Sequence, residues 1–67
     1  MTIRQAFVRN LRQARLRRKL SQEGLAAKAR VSVSYISMLE RGYRSPTLDT
    51  VERIAKALSV PPKKLLE

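Results

Sequence analysis

The side chains able to do chemistry in this chain are overwhelmingly cations. Its 67 residues carry 15 Lys and Arg against 5 Asp and Glu, a net charge of +10. Seven of the cations (Arg4, Arg9, Arg12, Arg15, Arg17, Arg18 and Lys19) precede Leu20 with no acid among them. So much positive charge on so short a chain implies a polyanionic partner. The groups enzymes use most are missing: there is no histidine, the commonest general base and metal ligand, and no cysteine for a thiolate site or a disulfide. No nucleophile with a base, no convergent carboxylates and no phosphate loop can be assembled, so the reading is non-enzymatic, without cofactor or metal. One Phe, two Tyr and no Trp do not make a stacking platform for single strands.

The elements that would carry these cations follow from local pattern. Thr2-Ile3-Arg4-Gln5 fits a capping box, and a helix is predicted from Ile3 to Arg18 with Phe7, Leu11 and Ala14 as its core stripe and Val8 beside it. Ser21 is a good N-cap for a second helix, Gln22 to Ala29, burying Leu25, Ala26 and Ala29; Gly24 stands where a capping box would want Glu or Gln. Leu20 and Val31 are predicted core residues in the links. Ser32 caps a third helix, Val33 to Arg41, with Ile36 and Leu39 inward, Ser34, Tyr35, Ser37, Met38 and Arg41 mostly outward, and Gly42 as its stop. Thr47 caps a fourth, Leu48 to Leu58, burying Leu48, Val51, Ile54, Ala55 and Leu58. Pro62 can open a short fifth helix through Leu66. The class is all-α, five helices in one domain over residues 1–67.

Two short helices joined by a turn of three to four residues, over about residues 21–42, have the arrangement of a helix-turn-helix. In that motif the second helix enters the major groove of DNA and its N-terminal residues meet base edges. The expected partner is double-stranded DNA.

At this point the chain resembles the Cro-type, lambda-repressor-like helix-turn-helix family, also called XRE-type regulators. The matching stretches are LSQEGLAAKARVSVSYISMLERGYRSPTLDTVERIAKALSV and PPKKLL, covering about Val8 to Leu66. Ser21-Gln22 opens one helix, Val31-Ser32 marks the turn, ISMLERG ends at Gly42, and Ser45-Pro46-Thr47-Leu48 and Ala55-Lys56-Ala57-Leu58 follow. The resemblance implies a compact five-helix domain that binds an operator, usually as a homodimer. It gives Gln22 a contact with phosphate or a base edge. It places Ser32, Val33, Ser34, Ser37 and Met38 at recognition-helix positions that face DNA, and Arg41, Tyr43 and Arg44 along the backbone. It also pairs Arg15 with Glu40 in a largely buried ion pair joining the first helix to the recognition helix.

The chemistry of these residues leaves alternatives. Ser32 and Ser34 can donate or accept at base edges or phosphates, or serve as caps alone; Val33 can pack on a thymine methyl or merely fill the first turn. Tyr35 offers a ring and a hydroxyl to DNA, or is partly buried. The recognition helix has no Arg, Lys, Asn or Gln before Arg41, so the strongest bidentate base readers are missing and specificity falls on shape readout or on Arg41 and Arg44. Arg30 stands at the turn where the family often has glycine. Val60, Leu65 and Leu66 either form a dimer surface or close the core, and Leu16 is read as exposed. The leading expectation is a transcriptional regulator, possessing no membrane segment, located in the cytoplasm and held at the nucleoid through DNA. The alternative is an interaction module, such as the DNA-binding half of an antitoxin, whose main target is a partner protein.

Overall fold

Every helix in this chain begins and ends in the same way. The computed structural model describes residues 1–67 and contains α1 (Ile3–Arg17), α2 (Gln22–Ala29), α3 (Val33–Glu40), α4 (Leu48–Leu58) and a closing 3-10 turn (Pro62–Leu65). Thr2, Ser21, Ser32 and Thr47 cap the four helices, each side-chain oxygen accepting the N–H three residues on, from Gln5, Gly24, Tyr35 and Thr50. Each cap satisfies one of the amides a helix start leaves unpaired. Gly24 belongs to this device. A Cβ there would come within 3.3 Å of Ser21 Oγ and 3.4 Å of a Leu20 methyl, so the glycine leaves room for the cap.

The stops are equally uniform. Lys19 (φ 56°), Arg30 (φ 60°), Gly42 (φ 77°) and Ser59 (φ 58°) turn left-handed just after the four helices. The next amides (Leu20, Val31, Tyr43 and Val60) reach back five residues to the carbonyls of Arg15, Ala26, Met38 and Ala55 at 2.9–3.1 Å. This is the Schellman closure, which supplies partners for the last carbonyls. Leu20, Val31 and Val60 then pack against the core. Only α3 spends a glycine on the left-handed position.

The core is one cluster gathered from every element: Phe7 and Leu11 of α1, Leu25, Ala26 and Ala29 of α2, Ile36 and Leu39 of α3, Val51, Ile54, Ala55 and Leu58 of α4, and Leu65. α2 packs on α3 and α4, while α1 packs on α3 and the 3-10 turn.

Several expectations need correction. Leu48 is 78% exposed, not buried. It continues the Val51–Leu58 stripe by spacing, but it is the first residue of α4 and lies a turn beyond the edge of the core. α1 and α3 each end one residue early, at Arg17 and Glu40, and the fifth helix is a four-residue 3-10 turn, so there are four α-helices. On α1, Ala6 and Arg15 are buried, whereas Ala14 is only half-buried. Leu65 is buried and closes the core, with Val60 and Leu66 half-buried against it.

Arg30 lies in the left-handed region, which costs a residue with a Cβ about 1–2 kcal/mol; glycine returns part of that as backbone entropy, about 0.5–1 kcal/mol. Arg30→Gly is therefore expected to stabilise the fold by about 0.5–1 kcal/mol, raising the melting temperature by about 2–8 °C. A calorimetric scan checks this; an unchanged or lower melting temperature would show that the Arg30 side chain offsets its own strain.

Candidate nucleic-acid interface

The turn between α2 and α3 is three residues, Arg30 to Ser32, and its closure aims the N-terminus of α3 outward. Ser32, Val33 and Ser34 are exposed there, Val33 at 41%. The Ser32 hydroxyl oxygen accepts the Tyr35 N–H at 3.0 Å, which leaves its own proton free to donate. Ser37 and Met38, expected mostly outward, are half-buried, because they flank Ile36 and Leu39 on a helix only two turns long. Tyr35 is also half-buried and packs against the core, with the Arg44 guanidinium 5.7 Å from its ring centroid. That distance is within cation–π range, and it ties the loop after α3 back onto the helix. Arg41, Arg44 and Tyr43 (70% exposed) are solvent-exposed where α3 gives way to that loop.

One buried polar network fixes α3 in place. Arg15 Nε donates to Glu40 Oε2 at 2.6 Å and Arg15 Nη2 to Oε1 at 3.1 Å. The side chains are 10% and 6% exposed. Arg15 Nη1 donates to the Leu20 carbonyl at 2.8 Å, and Gln22 Nε2 donates to Glu40 Oε1 at 3.2 Å. The two-pronged geometry uses the fork of the guanidinium. It locks α1, the α1–α2 link, the start of α2 and the end of α3 together. Gln22 is therefore held by protein through one N–H of its NH2 group, and its second N–H and its amide oxygen remain for an outside partner.

The structure thus brings Ser32, Val33, Ser34, Arg41, Tyr43 and Arg44 to the surface, leaves Tyr35, Ser37 and Met38 half-covered, and engages Gln22 in the ion-pair network. Two cations that the motif reading did not single out join them. Arg4 Nη1 makes a long hydrogen bond of 3.4 Å to Ser45 Oγ in the loop before α4. Arg4 and Arg9 line a notch with Arg41. No local signal points to this, because Arg4 and Ser45 are 41 residues apart and meet only through the packing of α1 on α3. A second basic cleft, with Lys28, Arg30, Arg53 and Lys56, lies at the C-terminal ends of α2 and α4. Cations in that position answer the negative ends of the helix dipoles, and Arg53 Nη2 donates to the Arg30 carbonyl at 3.2 Å. No helix is long and apolar enough to cross a membrane.

Comparison with known proteins agrees with this geometry. A helix-turn-helix family model matches residues 11–65. The control protein C.BamHI of Bacillus amyloliquefaciens is 47% identical over 66 residues, spanning 97% of this chain and 82% of that one. The crystal structure of the restriction-modification controller protein C.AhdI from Aeromonas hydrophila matches with a TM-score of 0.87 at 37% identity, covering 90% of this chain and 91% of that one. A hypothetical transcription factor, NHTF, from Neisseria matches with a TM-score of 0.94 at 32% identity, covering 97% of this chain and 75% of that one.

Removing one partner of the Arg15–Glu40 link should be strongly destabilising. Glu40→Gln strands a buried cation and is expected to cost about 3–5 kcal/mol, against a total of about 3–10 kcal/mol for a domain this size. Replacing both partners with apolar residues, Arg15→Met with Glu40→Leu, is expected to cost far less. Urea unfolding of the two variants beside the parent measures both; equal losses would mean that the pair itself, rather than the stranded charge, carries the energy.

Proposed function

The chain belongs to the helix-turn-helix family of Cro/XRE type and is a DNA-binding transcription regulator; from that premise we propose that it acts as a homodimer on a short, near-palindromic operator, as a single domain over residues 1–67. The observation that carries this reading is the exposed first turn of α3 with basic side chains just beyond its far end. An α-helix with its side chains is about 10–12 Å across, which the major groove, about 12 Å wide, admits. With α3 in the groove, Ser32 and Ser34 meet base edges or phosphates and Val33 meets a thymine methyl. Tyr35, Ser37 and Met38 line the approach, Gln22 offers its amide oxygen, and Arg41, Tyr43 and Arg44 follow the backbone. Two such helices in a dimer stand roughly 34–36 Å apart, one turn of DNA.

In this reading the protein does no covalent chemistry, needs no metal or cofactor, and works in the cytoplasm at the nucleoid. Its likeness to C.BamHI and C.AhdI supports a controller role of the restriction-modification kind. Because α3 lacks the bidentate readers of guanine and adenine, sequence preference rests on small groups at its N-terminus and on DNA shape.

Selection from a random duplex pool at about 150 mM salt, followed by titration of the enriched site against a scrambled one, tests the proposal. The expected result is a symmetric motif bound at least about a thousandfold more tightly than scrambled DNA. Ser34→Ala should change which bases are enriched, whereas Arg44→Gln should weaken all duplexes alike. Uniform, steeply salt-dependent binding with no motif would overturn operator recognition and make a protein partner the main target.

A further inference from the structure

The notch beneath the N-terminal half of α1 is built differently from the rest of the basic surface. It is an open surface depression of about 330 Å³. Arg4 and Arg9 enter it from α1 and Arg41 from the end of α3, and no carboxylate lines it. The two side-chain ion pairs of the protein, Arg15–Glu40 and Lys64–Glu67, lie elsewhere, so neither Arg4 nor Arg41 has a carboxylate partner. Arg4 is nonetheless oriented by a long hydrogen bond to Ser45 Oγ, 3.4 Å, and Arg9 Nη2 donates to the main-chain oxygen of Glu67 at 2.9 Å. Ser45 is a neutral partner, so it orients Arg4 while leaving its charge unspent. Three cations facing one small space repel each other, an arrangement stabilised when an anion enters.

We propose that Arg4, Arg9 and Arg41 form a seat for one phosphodiester group of the bound duplex. The inference rests on the DNA-binding reading above and extends it from the helix-turn-helix to α1. Continuity supports DNA as the source of the phosphate. The seat adjoins the loop that carries Tyr43 and Arg44, and Ser45, which holds Arg4, lies two residues before the N-cap of α4. The amides at that helix start carry the partial positive charge that favours phosphate. A backbone strand lying along the loop would pass from Arg44 to Arg41 and Arg4 without leaving positive potential. α1 then has two tasks: Arg15 fixes the recognition helix from inside, and Arg4 and Arg9 grip the strand beside it.

The test is the salt dependence of binding by the full chain, read by anisotropy with the selected operator and with a scrambled duplex between about 50 and 300 mM KCl. Arg4→Gln and Arg9→Gln are compared with Arg12→Gln, which removes the same charge from an exposed position of α1 outside the notch. Melting temperatures confirm that each variant is folded; should Arg9→Gln loosen the C-terminal tether, Arg4→Gln alone decides. The seat predicts that the slope of log K against log salt falls by about 0.9 for loss of the phosphate contact. It also predicts affinity about three- to tenfold lower at about 150 mM on both duplexes, with a much smaller change for Arg12→Gln. Phosphate-ethylation interference should show one backbone position that matters to the parent and no longer matters to Arg4→Gln. If Arg4→Gln matches Arg12→Gln in slope and affinity, the seat is overturned and the notch is only a solvated cluster. If the parent does not prefer the operator over scrambled DNA, operator recognition fails instead, and the slopes on scrambled duplex still judge the seat.

Discussion

A single guanidinium–carboxylate fork holds the helix-turn-helix half of this protein together. Arg15 comes from the first helix and Glu40 from the last turn of α3, and they meet with both side chains almost wholly out of solvent. Leu20 and Gln22 supply the two remaining contacts, so no buried side-chain polar atom is left without a partner. This completeness matters because a buried charge is tolerable only when fully paired. The pair adds position more than raw stability. α3 is two turns long and buries only Ile36 and Leu39, so packing alone would leave its tilt weakly determined. Anchoring its last residue to α1 gives the exposed first turn a fixed direction.

The fold works against its own charge. A net charge of +10 on 67 residues repels itself and destabilises the compact state, and a domain this small has a modest core to offset that. The observed compensation is local. Hydroxyl caps open all four helices, each worth on the order of 1 kcal/mol, and left-handed closures give the last carbonyls their partners. Cations at the ends of α2 and α4 lie where helix dipoles favour them. The remaining positive charge stays unspent on the surface, which is the state a phosphate-binding protein requires. The strain at Arg30 fits the same economy of structure: the turn needs a left-handed residue, and the chain places a cation there instead of glycine.

Recognition by this α3 would rest on a sparse vocabulary. Two exposed serines and a valine give hydroxyls and a small apolar face, and the arginines come only after the helix has ended. Arg44 lies over Tyr35, a cation–π contact that links the loop to α3. That coupling offers a physical route by which backbone contacts in the loop set the depth and register of α3.

The residues by themselves determined what depends on neighbours along the chain. Thr2, Ser21, Ser32 and Thr47 mark the helix starts because capping is a contact over three residues, and the stripes Phe7–Leu11, Ile36–Leu39 and Val51–Leu58 mark the buried faces because helical period is local. The helix-turn-helix and its polyanionic partner follow from that spacing and from the charge. Tertiary structure decided what depends on where the core ends and on which distant groups meet. Leu48 keeps the period of its helix yet lies in solvent, since period specifies a face and not how far the core extends along it. Leu65, near the end of the chain, is buried in the core. Gln22 spends one amide N–H on Glu40, and Arg4 meets Ser45 across 41 residues; neither contact has a signature in local sequence, because each exists only after α1, α2 and α3 have packed.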